Sequence, residues 1–297
     1  MRKPGALLFF LFWTSLCFSQ SKKLKVFISV DMEGIAGVVT GDQLGPGSFE
    51  YERFRGFMTQ EAITAVSAAT RAGATEIVVA DGHGNGENLL IEQFPASVRI
   101  VRSWPRHLGM MGGLDSSFDA ALFVGYHAST HNPNGVRAHT FSSARLTRVA
   151  VNGKDVTEGA WNAAIAGELG VPVIFVSGDD AAVAEIRDLI GRVDAVETKQ
   201  SLGFHSANTL TPEAARAKIS AAVESSVKHL AECKPYRVAT PVTVDLSFKN
   251  PTVAETAAYL HLFERIDSHS IRFRAKDMAE AADTFQFLEH YRIDLAP

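Results

Sequence analysis

The chain has 297 residues, 46% hydrophobic and 21% charged, enough to bury a sizeable core in one large domain or two smaller ones. Its net charge of -4, with no dense run of Lys or Arg, gives no case for a nucleic-acid partner. Cys17 and Cys233 are the only cysteines, so stability comes from packing, bound metal or assembly rather than from disulfides.

Taken in chain order, the first residues have the layout of a secretory signal. Arg2 and Lys3 precede an apolar stretch over 6–13, and small and polar residues follow to Gln20. The apolar core is short for spanning about 30 Å of hydrocarbon. This predicts a signal over 1–19 cut after Ser19, export to the periplasm or beyond, and no membrane attachment after cleavage. Cys17 leaves with the signal.

A buried strand is expected at 26–30, ending in Asp31-Met-Glu33-Gly. A helix over 51–72 follows from Phe54, Phe57, Met58, Ala62, Ala65, Val66 and Ala69 at near-helical spacing, with Gly73 as its stop. Next come a strand at 77–80 ending in Asp81-Gly-His83-Gly, a short helix at 89–94, and a strand at 98–101. The strand at 120–124 ends in Gly125-Tyr126-His127, and a long polar loop with His131 and His139 follows. Residues 148–151, with Asn152-Gly153 after them, read as a hairpin or short edge strand. Thr157 can cap a helix to Leu169, and after a strand at 173–176 Asp180 can cap a helix over 181–190.

Beyond Gly203, Thr211-Pro212-Glu213 starts a helix to about residue 232. A strand within 236–248, a helix over 252–263, a strand at 270–273 and a helix over 277–291 complete the chain. The predicted fold is α/β: a three-layer α/β/α domain with a mostly parallel sheet over 20–203, plus a smaller C-terminal α/β domain over 204–297.

Continuous apolar strands suit a parallel sheet, whose carboxyl ends form the ligand crevice. Three strands here end in metal-binding side chains, which points to a metal-dependent enzyme. Asp31 and Glu33 would face the same side of a strand and repel unless a proton or cation lies between them. Equally, Asp31 could cap a turn and Glu33 be solvated. The glycines around His83 could wrap an ion, or Asp81-Gly82 could be a plain turn; no P-loop Lys-Ser/Thr follows. His127 fits either a ligand or a hydrogen-bonded core histidine. His131 and His139 could each be merely exposed, and Glu158 suits a helix first turn through the dipole alone.

Taken together, Asp31-Met-Glu33-Gly-Ile, Asp81-Gly-His83, Gly125-Tyr126-His127-Ala, Ala138-His139 and Val151-Asn-Gly with Glu158-Gly and Asn162-Ala resemble the zinc-dependent D-aminopeptidases of the dipeptide-transport-operon (DppA) type. The resemblance implies two zinc ions (Zn2+) per subunit, with Asp31 bridging and Glu33, His83, His127 and Glu158 completing the ligands. It implies His139 as catalytic nucleophile, with roles as general base or oxyanion clamp also open. It implies short peptides with N-terminal D-amino acids, D-alanine foremost, as substrates, and a ring-shaped homo-oligomer, a decamer in the family. The predicted signal sets this chain apart from intracellular relatives. Two rival readings remain on the sequence: a binuclear phosphoesterase using Arg102, Arg106 and Arg137, and a non-catalytic periplasmic peptide-binding protein.

Overall fold

A computed structural model describes residues 23–291, so the signal expected at 1–19 lies outside the described residues. The chain runs β1 (Leu24–Val30), α1 (Tyr51–Arg71), β2 (Ala74–Asp81), β3 (Val98–Val101), β4 (Ala120–Tyr126), β5 (Leu146–Val151), β6 (Lys154–Asp155), α2 (Glu158–Glu168), β7 (Val173–Asp179) and α3 (Asp180–Ile190). It continues through β8 (Asp194–Gly203), β9 (Ser206–Thr209), α4 (Pro212–Lys228), β10 (Val242–Phe248), α5 (Pro251–Ala257), β11 (Glu264–Arg265), β12 (Ser270–Ala275) and α6 (Met278–His290).

The main sheet has the order β3-β2-β1-β4-β7-β8-β9 and is parallel except at the β8–β9 pair. Its central strands are apolar at successive positions because both faces are covered. Val26, Ile28 and Val30 meet Met58, Ala62 and Ala65 of α1 and Ile219 and Val223 of α4 on one side. Phe27, Ala121 and Phe123 point the other way, into a core built with Trp161 and Ile165 of α2 and with the second sheet. That second sheet is antiparallel, in the order β11-β12-β10-β5-β6. Truncating a fully buried residue such as Phe123 to alanine would cost about 3–5 kcal/mol.

The α/β architecture with a mostly parallel sheet is as expected, but several elements differ. The helix expected at 89–94 is a single 3-10 turn, Ile91–Gln93. The N–H groups of Asn88 and Leu89 are bound by the Asp81 carboxylate, and Pro95 closes the segment. Asp179, not Asp180, caps α3, accepting from Ala182 N at 2.6 Å. The helix expected over 252–263 stops at Ala257. Neither β8 nor β9 is anticipated, because β8 carries Glu197, Lys199 and Gln200 and little apolar pattern. The break expected near residue 203 falls inside the main sheet, between β8 and β9, while β5 and β6 from before it join the second sheet.

For the site, the centre of the main sheet matters most. The chain places β2 and β3 on one side of β1, then crosses to lay β4 on the other, so the strand order reverses between β1 and β4. Crevices open at such reversals, beyond the strand carboxyl ends. Val30 is level with both Asp81 and Val124, so the three strand ends lie together.

Candidate metal centre

The loops leaving β1, β2 and β4 are stitched to one another by backbone bonds. Gly34 N donates to Gly125 O at 2.7 Å, and Gly82 N to Val30 O at 2.8 Å. A Cβ at Gly34 would collide with the Tyr126 carbonyl oxygen, and one at Gly125 with that of Asp31. Gly125 also has φ of +76°, a region that favours glycine. These glycines let two loops touch, and their contact sets where Asp31 and His127 sit.

Asp31 and Glu33 follow β1, His83 follows β2, His127 follows β4, and Glu158 opens α2; all five are buried. Thr157 caps α2 by accepting from Ala160 N at 2.8 Å, which fixes the first turn that holds Glu158. The Asp31 carboxylate points two ways. Its Oδ1 lies 3.3 Å from His83 Nδ1, and its Oδ2 lies 3.3 Å from His127 Nε2. Glu33 Oε2 is 2.9 Å from His83 Nδ1, and Glu158 Oε1 is 3.2 Å from His127 Nε2. Two clusters result, Asp31–Glu33–His83 and His127–His139–Glu158, with the donor atoms of each within 4.8 Å of one another.

His139 therefore joins the second cluster rather than standing apart. Its Nε2 lies 3.8 Å from Glu158 and 3.9 Å from Glu33, longer than the His127 distances. Its ring stacks on His127 with centroids 4.0 Å apart.

Each imidazole is held on its far side by a backbone carbonyl, which can only accept. His83 Nε2 donates to Leu44 O at 2.7 Å, His127 Nδ1 to Ala128 O at 3.0 Å, and His139 Nδ1 to Arg137 O at 2.8 Å. That places the proton of each neutral ring on the outer nitrogen and turns a bare lone pair inward, the arrangement that orients metal-binding histidines. Bare lone pairs facing carboxylates need a positive charge between them. With protons alone, burial would lower the pKa of His83 and His127, but the carboxylates of Glu33, Asp31 and Glu158 overcome it and hold both rings well above the usual range. Burial would raise Glu33 and Glu158, yet the same histidines pull both down. His139 goes the other way, pushed down by burial and by the charge of His127.

The residues fit divalent cations. Asp31 Oδ2, Glu33 Oε2 and His127 Nε2 are buried without a hydrogen-bond partner despite their close neighbours, so they converge on the same space instead of bonding one another. An all-nitrogen and oxygen donor set of imidazole and carboxylate suits a borderline transition-metal ion.

Other candidates are engaged elsewhere. The Asp81 carboxylate accepts from Asn88 N, Asn88 Nδ2 and Leu89 N. His131 is exposed and nearest Asp155, at 3.7 Å. Arg106 is bound to the carbonyls of Asp81, Ser103 and Gly109, and Arg137 to His205 and the Phe204 ring. Arg102 is exposed.

One residue has no signal in the sequence. Lys199 of β8 is 1% exposed and donates to the carbonyls of Glu33, Ile35 and Val38, the latter two at 2.9 and 2.7 Å. It clamps the turn that carries Glu33, and burial lowers its pKa to about 8. Beside Glu158 a cavity of about 190 Å³ opens, walled by Trp104, Met110, Phe141, Trp161 and Phe285. Phe141, at φ of +62°, donates its N–H to Glu158 Oε1 at 2.6 Å.

With this geometry in view, the comparisons are specific. A family profile described as D-aminopeptidase matches residues 24–287. The D-aminopeptidase of Bacillus subtilis (strain 168) is 32% identical over 259 residues, covering 87% of this chain and 94% of that protein. The solved structure of the zinc-dependent D-aminopeptidase DppA from Bacillus subtilis, a self-compartmentalizing protease, matches at TM-score 0.86 and 30% identity, covering 92% of this chain and all of that one.

Proposed function

The chain belongs to the D-aminopeptidase family, and from that premise we propose that it is an exported, zinc-dependent aminopeptidase that removes N-terminal D-amino acids, D-alanine above all, from short peptides at a two-zinc site. The observation that carries the two-metal part is Asp31, whose two oxygens face two separate nitrogen–oxygen clusters. Glu33 and His83 would complete one metal's ligands, and His127 and Glu158 the other's. Zinc in such a site supplies Lewis-acid polarisation of the scissile carbonyl and lowers the pKa of water to about 7.

The chain's own residues supply the rest. His139 presents an unprotonated Nε2 to the cluster, its ring locked by the Arg137 carbonyl and by the stack on His127. Burial disfavours its charged form, so Nε2 is ready to accept a proton or attack a carbonyl. The cavity beside Glu158, lined by aromatic rings together with Arg145, Gln286 and Glu289, gives a small place for the first residue of a peptide. Export rests on the basic, apolar and small-residue order of residues 1–20. A ring-shaped homo-oligomer rests on the likeness to a self-compartmentalizing relative.

Zinc-loaded mature protein assayed on D-Ala and L-Ala p-nitroanilides and on p-nitrophenyl phosphate tests the reading. D-Ala p-nitroanilide should be cleaved in clear preference to the other two. Phosphate release alone would make it a phosphoesterase, and peptide binding without turnover of any substrate would make it a binding protein.

A further inference from the structure

Glu158 and Asn162 stand one turn apart on α2, so both side chains leave the helix on the same face. Asn162 is 1% exposed and lines the cavity of about 190 Å³ that Glu158 also lines. A chain of hydrogen bonds fixes its amide, and the direction of that chain is forced from its far end. The Met110 carbonyl can only accept, so the Ser29 hydroxyl donates to it at 3.3 Å. Ser29 Oγ therefore accepts from the Tyr126 hydroxyl at 2.8 Å, and the Tyr126 oxygen accepts from Asn162 Nδ2 at 2.9 Å. The other Nδ2 hydrogen meets Met110 Sδ at 3.3 Å, again an acceptor.

Both donors of the amide are thus spent on the buried side, which leaves Oδ1 as the end presented to the cavity. Turning the amide round would set Oδ1 against the Tyr126 oxygen and the Met110 sulfur and strand both. The cavity therefore holds an oriented neutral acceptor beside a carboxylate-rich centre. A ligand carbonyl or carboxylate would meet Oδ1 lone pair to lone pair, whereas a primary amine brings several N–H donors.

Building on the aminopeptidase reading, we propose that Asn162 Oδ1 receives the free N-terminal amine of the substrate. Anchoring the amine there brings only the first peptide bond to the metal centre, which is the register an exopeptidase needs. Tyr126, acting through Asn162, is a positioning residue.

Calorimetry on zinc-loaded protein tests this with D-alanine and with propionate, which lacks the amine. Asn162→Leu should weaken D-alanine about 10- to 100-fold, the loss of a bond to a charged donor, and leave propionate unchanged. Tyr126→Phe leaves the cavity lining in place and frees the amide, at the loss also of the bond to Ser29, and should weaken D-alanine by a smaller factor with propionate again unchanged. Equal losses for both ligands, or an unchanged D-alanine affinity in Asn162→Leu, would overturn the proposal. If Asn162→Leu does not fold, Tyr126→Phe decides alone, and an unchanged D-alanine affinity there sinks it. A wild type that cleaves no D-aminoacyl p-nitroanilide would instead remove the aminopeptidase reading itself.

Discussion

His139 is the residue whose role divides most sharply. Its Nε2 sits with His127 and Glu158 as a possible third ligand, yet at 3.8–3.9 Å from the carboxylates it is the most loosely drawn in. As a catalytic group, its replacement by alanine should leave zinc content intact and cut turnover about 10²–10⁴-fold. Loss of one zinc would make it a ligand, and near-normal turnover a bystander. Glu61 offers a separate test away from the centre. It is fully buried, Oε1 accepts from Ala36 N, Oε2 has no partner, and burial raises its pKa to about 7. Below about pH 4.5 the carboxyl is protonated in both folded and unfolded chains and costs nothing. As pH rises from there to about 7 the unfolded chain gives up the proton while the folded chain holds it, so stability falls by up to about 3 kcal/mol and levels off above 7. Glu61→Gln should therefore be more stable than wild type at pH 8 and no different near pH 4.5; urea melts at both pH values check this. The convergence of Asp31, Glu33, His83 and His127 is legible in sequence because each stands just past a strand end, whereas His139 and Glu158 are singled out only by the resemblance of their motifs to the family. Lys199 and the bonds joining Ser29, Met110, Tyr126 and Asn162 are not legible, because they link residues far apart in the chain that obey no local pattern.

At the scale of elements, the centre depends on loops pressed together at the reversal of strand order between β1 and β4. Gly125 combines close approach with a left-handed backbone, with φ of +76° and the Asp31 carbonyl oxygen where a Cβ would stand. Gly125→Ala should push the two loops apart, costing more than about 1 kcal/mol from the left-handed backbone alone. Circular dichroism should show the sheet retained while zinc content falls; full zinc content would mean the loops have slack. The parallel strands are readable from their apolar runs, and α1 from its spacing. The strand β8 is not, since its buried residues include the polar Thr198 and Lys199. Its hydrogen-bonding duties to the Glu33 turn replaced the alternation that reveals a strand. The second sheet is also hidden, because β5, with β6 paired to its other side, joins β10 about a hundred residues later.

For the whole molecule, export and assembly are the two proposals that lie beyond the individual chain's core. N-terminal mass spectrometry on protein from its native cell should find a start near Gln20, and an intact Met1 in a soluble cytoplasmic fraction would end the export proposal. Sedimentation should find a closed multimer, and single chains at working concentration would end the ring. The central claim, however, is a two-zinc D-aminopeptidase, and titrating metal-free protein with zinc while following D-Ala p-nitroanilide turnover tests it most directly. Activity should climb and level off at about two zinc ions per chain. Full activity in the metal-free protein, or no D-Ala release at any zinc level, would contradict it.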